Sequence, residues 1–266
     1  MSIANIPVSG QPRCEKCGDD VPCFAFDFAF QPIVSLERKT IVAHEALARG
    51  PEGQPALSVL DQVTRENRHC FDQECRARSI QRAASLCMPE TESLSINFIP
   101  NAVFSPKLCI QRTLRTAQEQ GFALDRLIFE VTEGERIEDV EALVRIFQEY
   151  RKLGIKTAID DFGAGYAGLN LLARFQPDIV KIDIDLIRDV DAHKTKQIIV
   201  DCIVSLCTRL NITPLAEGVE TAGERDFLAS AGIDLMQGFF FARPSFMALA
   251  SIDSASWPSP PDLLLS

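Results

Sequence analysis

The sequence predicts an α/β barrel of the TIM type, a (β/α)8 barrel whose first strand runs antiparallel to the rest. Three observations carry this: eight short apolar runs of strand character, helical periodicity after the second run and its successors, and a gap between the first two runs too short for a crossover. The strand-like runs are residues 26–34, 40–48, 94–99, 126–132, 156–161, 178–182, 213–217 and 235–241. Residues 35–39 alone separate the first from the second, whereas a parallel crossover takes a dozen or more residues, so these two form an antiparallel hairpin. Helical stretches then follow at 57–87, 105–119, 137–153, 167–175, 187–210 and 222–231, giving the strand–helix–strand alternation of parallel units. A doubly wound open sheet is the alternative, and the lack of a glycine-rich phosphate loop after the first strand speaks against it.

The polar, Pro- and Gly-punctuated residues 1–23 read as a flexible, cysteine-containing arm, 24–250 as one barrel domain, and 251–266 as a Pro-rich tail. No apolar run is long enough to span a bilayer, and the first ten residues lack a secretory pattern, so the expectation is a cytoplasmic protein with no membrane partner. The net charge of -10 argues against nonspecific binding of a nucleic acid polymer, which requires clustered Lys and Arg; an anionic ligand has to be met by local cations. Of nine cysteines, Cys70, Cys75, Cys87, Cys109, Cys202 and Cys207 fall in or beside helical stretches and read as reduced core or surface residues. Cys14-x-x-Cys17 with Cys23 is half a zinc motif and carries no metal assignment without a second pair.

Nearly every strand after the first has a polar group near its C-terminal end: Glu45, Asn97, Glu130, Asp160 with Asp161, Lys181, Glu217 and Gln237. In a parallel barrel these ends converge on one mouth. Five carboxylates crowded there repel each other and have to be protonated or neutralised, and divalent cations neutralise them. The donors are hard oxygens without clustered Cys or His, which suits Mg²⁺ or Mn²⁺ better than Zn²⁺. The adjacent Asp160 and Asp161 suit a pair of ions ~3.5–4 Å apart. Strand alternation sends His44 to the face opposite Glu45, as a packing residue. Phe98, Phe129, Phe162 and Phe175 read as core, and Glu138, Asp139, Glu141 and Glu149 as a solvated helix face.

In their company, Glu45-Ala46-Leu47-Ala48-Arg49, Asn97, Glu130-Val-Thr-Glu133, Asp160-Asp-Phe-Gly-Ala-Gly-Tyr166, Lys181-Ile-Asp183, Ala216-Glu-Gly-Val-Glu220 and Gln237-Gly238 form a specific pattern. The sequence resembles the EAL-domain cyclic di-GMP phosphodiesterases from Phe30-Gln31-Pro32-Ile33 to Ala242-Arg243-Pro244. The resemblance implies two Mg²⁺ or Mn²⁺ ions, one held by Glu45, Asn97, Glu130 and Asp160, the other by the bridging Asp160 with Asp161 and Glu217. It implies catalytic roles for Glu45, Glu217 and Lys181, the lysine aiming the attacking water, and contacts to the dinucleotide from Gln31, Leu47, Arg49, Asn97, Gln237 and Pro244. Glu133 matches the residue that anchors the loop after the fifth strand, residues 162–169, which in the family joins the metal site to a homodimer interface with a neighbouring helix. Departures at Ala167-Gly168, Val180 and Phe239-Phe240-Phe241 remove no ligand.

The implied activity is hydrolysis of cyclic di-GMP to the linear dinucleotide pGpG through two-metal activation of water. The alternative is a receptor that binds the nucleotide without hydrolysis, or a partner-binding regulatory domain, and the filled ligand positions favour the enzyme. No sensory domain accompanies the barrel, so regulation is expected from a partner protein, from oligomerisation or from the arm.

Overall fold

The computed structural model describes residues 24–103, 105–132, 139–165 and 168–257. The arm with Cys14, Cys17 and Cys23, the loop anchor Glu133, Glu138 on the helix face, Tyr166 and Ala167 in the loop after the fifth strand, and the tail from 258 onward lie outside the described residues. No described helix is long and apolar enough to cross a membrane.

Strands β1 (Asp27–Ser35) and β2 (Thr40–Arg49) form the expected antiparallel hairpin. From β2 onward, β3 (Ser93–Asn97), β4 (Leu127–Thr132), β5 (Lys156–Phe162), β6 (Ile179–Ile182), β7 (Thr213–Ala216) and β8 (Leu235–Met236) each pair parallel with the strand before. β1 then pairs antiparallel with β8 and closes the barrel. The reversed first strand is therefore observed. A ninth strand, β9 (Ser245–Phe246), adds to β1 antiparallel and was not anticipated; two residues with no alternation leave no periodic signal. The eighth strand is two residues rather than the expected 235–241. At Gly238 the chain turns, passing so close to β7's exit that a Cβ there would lie 2.1 Å from the Val219 carbonyl oxygen.

The helices are α1 (Leu57–Leu60), α2 (Arg68–Ser85), α3 (Pro106–Cys109), α4 (Gln111–Glu119), α5 (Val140–Lys152), α6 (Gly168–Arg174), α7 (Ile184–Ile187), α8 (Lys194–Leu210) and α9 (Ala222–Ser230). Two of the stretches anticipated as continuous, 57–87 and 105–119, are interrupted, and the helix anticipated over 187–210 begins only at Lys194. Between α1 and α2 the Asn67 side chain accepts from the Thr64 N–H and donates to the Gln62 carbonyl, a local alternative that competes with helix. The Asp183 side chain caps α7 by accepting from the Asp185 N–H, and Asp189 at φ 56° ends it before α8 begins. The helix anticipated over 105–119 divides at Ile110, the C-cap of α3 and N-cap of α4, its φ and ψ still helical. Asp139, exposed as anticipated, caps α5 through the Ala142 N–H.

The barrel interior below the mouth is filled by Ile33, Ala43, Ile128, Ala158, Ile179 and Leu215. The larger core, with Phe98, Phe129, Phe162 and Phe175, lies between sheet and helices. Each plug residue on β2, β4, β5, β6 and β7 stands two residues before a polar strand-end residue: 43 before 45, 128 before 130, 158 before 160, 179 before 181, 215 before 217. With a period of two, the same alternation that sends one residue into the apolar plug sends the next but one onto its top. The apolar floor and the polar mouth are thus one sequence pattern.

Candidate metal centre

Lys181 is wholly buried at the middle of the mouth. Its Nζ lies 2.7 Å from Glu217 Oε1, 2.9 Å from both Glu130 Oε2 and Asp160 Oδ1, and 3.5 Å from Glu45 Oε2. Lys181, expected from the resemblance to aim the attacking water, is thus salt-bridged to carboxylates at the strand end. Its partners are not the strand neighbours Asp178 and Asp183. Asp178 accepts from the Thr157 N–H and hydroxyl at the far end of the strand, and Asp183 caps α7.

Around this cation the carboxylates form two groups that share Asp160. Oxygens of Glu45, Glu130 and Asp160 lie within 4.8 Å of one another, and so do oxygens of Asp160, Asp161 and Glu217. Strict alternation would turn Asp161 away from the mouth. Its backbone sits at φ 53°, and the β5–β6 register breaks between Ile159 and Phe162, so the strand end kinks and Asp161 joins Asp160. Glu45 is held from both sides: Asn97 Nδ2 donates to Oε1 at 2.9 Å and Gln237 Nε2 to Oε2 at 2.9 Å. One residue the sequence reading missed is Ser95, wholly buried, whose hydroxyl donates to Glu130 Oε1. Its signal was available: Ser95 occupies the plug position two residues before Asn97, the one polar residue in that layer of apolar side chains.

The electrostatics follow from crowding. Burial pushes the Glu130 carboxyl up to about 8, with Lys181 pulling against it and Glu45 and Asp160 adding to it. Burial raises Asp161 to about 6, helped by Asp160 and Asp183, and raises Glu217 well above the usual carboxylate range. For Asp160 burial acts upward too, but Lys181 outweighs it and holds the carboxyl low. Burial opposes the Lys181 charge, yet Asp160, Glu130, Glu217 and Glu45 together keep it an ammonium. Two carboxylates 4.8 Å apart repel by about 3.5 kcal/mol at an effective dielectric constant near 20. One ammonium cannot offset five such groups. The donor set, carboxylate and amide oxygens without His or Cys, fits hard divalent cations.

The residues assigned to the dinucleotide ring this centre. Gln31 stands opposite Glu45 in the β1–β2 register and its amide donates to the Ala242 carbonyl. Leu47 and Arg49 follow Glu45 at the two-residue period, both half-buried. Burial pulls the Arg49 guanidinium down and Glu45 pulls it back up. Pro244 precedes β9, whose pairing with Ala29 and Phe30 brings it to the Gln31 end of β1. His44, packed against Glu92 at 3.1 Å on the outer face, has no part in the mouth. Among the described cysteines, Cys75, Cys109 and Cys207 are buried and Cys87 and Cys202 exposed.

Comparison with known proteins agrees with this layout. A family model described as the EAL domain matches residues 25–244. The blue light- and temperature-regulated antirepressor BluF of Escherichia coli K12 is 34% identical over 231 residues, covering 87% of this chain and 56% of that protein. The cyclic di-GMP phosphodiesterase PdeR of the same organism is 40% identical over 127 residues, covering 48% of this chain and 19% of that protein. This chain thus spans just over half, or less, of these curated relatives. Among solved structures, a standalone versatile EAL protein from Vibrio cholerae O395, in its c-di-GMP bound form, superposes with a TM-score of 0.84 at 48% identity, covering 88% of this chain and 98% of that one. The manganese/cy-diGMP complex of Klebsiella pneumoniae BlrP1 at pH 9.0 gives 0.80 at 38% identity, covering 87% of this chain and 59% of that one. With the family model spanning the whole barrel and its mouth, this chain belongs to the EAL domain family.

Proposed function

We propose that this chain is a divalent-cation-dependent phosphodiesterase that opens one phosphodiester of cyclic di-GMP and releases linear pGpG. The observation that carries the reading is the pair of carboxylate groups sharing Asp160 around a buried lysine. Glu45, Asn97, Glu130 and Asp160 would hold one Mg²⁺ or Mn²⁺, and Asp160, Asp161 and Glu217 the second. When bound, such ions lower the pKa of water and neutralise charge on the phosphoryl group being attacked. Water oxygen then joins phosphorus as the bond to one O3′ breaks, leaving a 3′-hydroxyl and a 5′-phosphate. Lys181, held as an ammonium, can donate to the attacking water and offset charge but cannot take its proton. Proton acceptance falls to a carboxylate in this reading, assigned to Glu217, which burial makes the stronger base and which lies 2.7 Å from Lys181. Arg49 supplies a local cation for the anionic dinucleotide in a chain of net charge -10.

The barrel, residues 24–250, is the catalytic unit in this reading, and the arm is dispensable for chemistry. A homodimer is supported by apolar side chains left in solvent on neighbouring helices: Leu169 on α6, 68% exposed, and Ile198 on α8, 53% exposed, beside a hollow lined by Cys202 and Leu206. Asp201 and Arg209 flank that hollow and can pair across a two-fold axis. The test of function is to incubate the protein with cyclic di-GMP and Mn²⁺ and weigh the product. A gain of one water per molecule of cyclic di-GMP supports the reading; tight binding with the cyclic dinucleotide recovered intact replaces it with the receptor.

A further inference from the structure

Helix α2 presents charges where an outer barrel helix ordinarily presents aliphatic side chains. His69, Asp72 and Arg76, at helical spacing on one face, are all buried, and Arg76 has no exposed surface. Arg76 is ion-paired with Asp72, its Nη1 lies 3.4 Å from the Tyr150 hydroxyl on α5, and its guanidinium sits 5.8 Å from the centre of the Phe129 ring. Stability does not explain such a pair, since replacing a buried ion pair by apolar residues of similar volume is often neutral or stabilising.

What the pair does is reach the backbone next to the site. Asp72 Oδ1 accepts from the Ile99 N–H at 2.9 Å, and His69 Nδ1 donates to the Ala102 carbonyl at 2.6 Å. The segment leaving β3 is thereby fixed to α2 at two points, the nearer one two residues beyond Asn97. The Phe98 N–H donates to the Glu130 carbonyl, and Asn97 stands opposite Glu130 in the sheet, so the same backbone tie bears on both candidate ligands. Asn97 is exposed, so packing does not fix its side chain; where its amide meets Glu45 is set by the backbone beneath it.

We propose that Asp72 is a positioning residue for the metal centre: its side-chain oxygen holds the exit of β3 so that Asn97 meets Glu45 and the cation they would share. This rests on the reading of Asn97 and Glu45 as ligands. Partners that orient metal ligands from behind change metal affinity or activity by about 10- to 100-fold when removed.

The test compares two charge-free double variants by titrating chelator-stripped protein with Mn²⁺ alone. Asp72→Leu/Arg76→Met removes the acceptor for the Ile99 N–H; Asp72→Asn/Arg76→Met keeps an amide oxygen there. Ile99 is only half-buried, so water can satisfy its N–H in the first variant and the fold is expected to survive. The expected result is Mn²⁺ affinity at least tenfold weaker in the leucine variant and within about threefold of the parent in the asparagine variant. Equal affinities in the two, whether parental or weakened, overturn the proposal. Should only the asparagine variant fold, retained affinity supports the proposal and a tenfold loss overturns it. Asn97→Ala is the reference: if it binds Mn²⁺ like the parent, the ligand reading fails instead.

Discussion

Lys181 draws together Glu45, Glu130, Asp160 and Glu217, which come from four separate strands or their exits, and so makes a crowded acidic mouth compatible with folding before any cation arrives. Removing one partner of a buried ion pair costs about 3–5 kcal/mol because the other is left buried and unpaired. Lys181→Met is therefore expected to melt well below the parent in chelator and to recover most of that loss in excess Mn²⁺, while turnover stays absent; thermal melts with and without the ion check this, and a variant indifferent to Mn²⁺ contradicts it. Glu45 has the opposite profile. Both its oxygens accept from amides, and its charge adds to the repulsion around Glu130. Glu45→Ala should abolish turnover with a stability change below about 1 kcal/mol, or about 2–4 °C in the melting temperature. Residual activity within a few-fold of the parent would remove Glu45 from the chemistry.

Glu217 stands at the turn leaving β7, and that turn is tightly constrained. Gly218, next to Glu217, has φ +67°, and a Cβ there would lie 2.2 Å from Ile184 Cγ1. Left-handed backbone costs an ordinary residue about 1–2 kcal/mol, and Ile184 has to move as well. Gly218→Ala is expected to lower stability by at least that much and to cut turnover by displacing Glu217; a denaturant midpoint equal to the parent's would refute the constraint. Strand-level features were legible in the sequence: the five residues between the first two runs gave the hairpin, and the polar groups at the strand ends gave the mouth. The break at Asn67 was not, since it arises from side-chain bonds to the backbone that periodicity does not register, and neither was the short α7 that Asp183 caps. Nor were Ser95 and Asp72: one is a small residue within an apolar run, and the other's partner Ile99 lies 27 residues away.

For the molecule as a whole, the mouth couples proton binding, cation binding and folding. Glu130 titrates near 8 and Asp161 near 6 in the folded protein, against ordinary values of 4.5 and 3.8. A raised folded-state pKa means that the folded chain holds more protons than the unfolded one, so stability falls as pH rises through that interval. The metal-free protein should lose stability between about pH 4.5 and 8, and cation affinity should rise over the same range as protons leave. Melts from pH 5 to 8 in chelator and in excess Mn²⁺ should converge at low pH and separate at high pH; parallel curves would contradict the coupling. In the proposed function the cation decides the chemistry. Mg²⁺ demands near-octahedral geometry at ~2.0–2.1 Å, while Ca²⁺ accepts loose geometry at ~2.3–2.6 Å and is the weaker Lewis acid. Displacements of a few tenths of an ångström spoil the in-line approach of water to phosphorus. The most direct test is therefore product formation from cyclic di-GMP by chelator-stripped protein supplied with Mg²⁺, Mn²⁺, Ca²⁺ or no ion: turnover with Mg²⁺ or Mn²⁺, and binding with little or no turnover with Ca²⁺, are predicted, whereas full activity without any divalent ion would contradict the account.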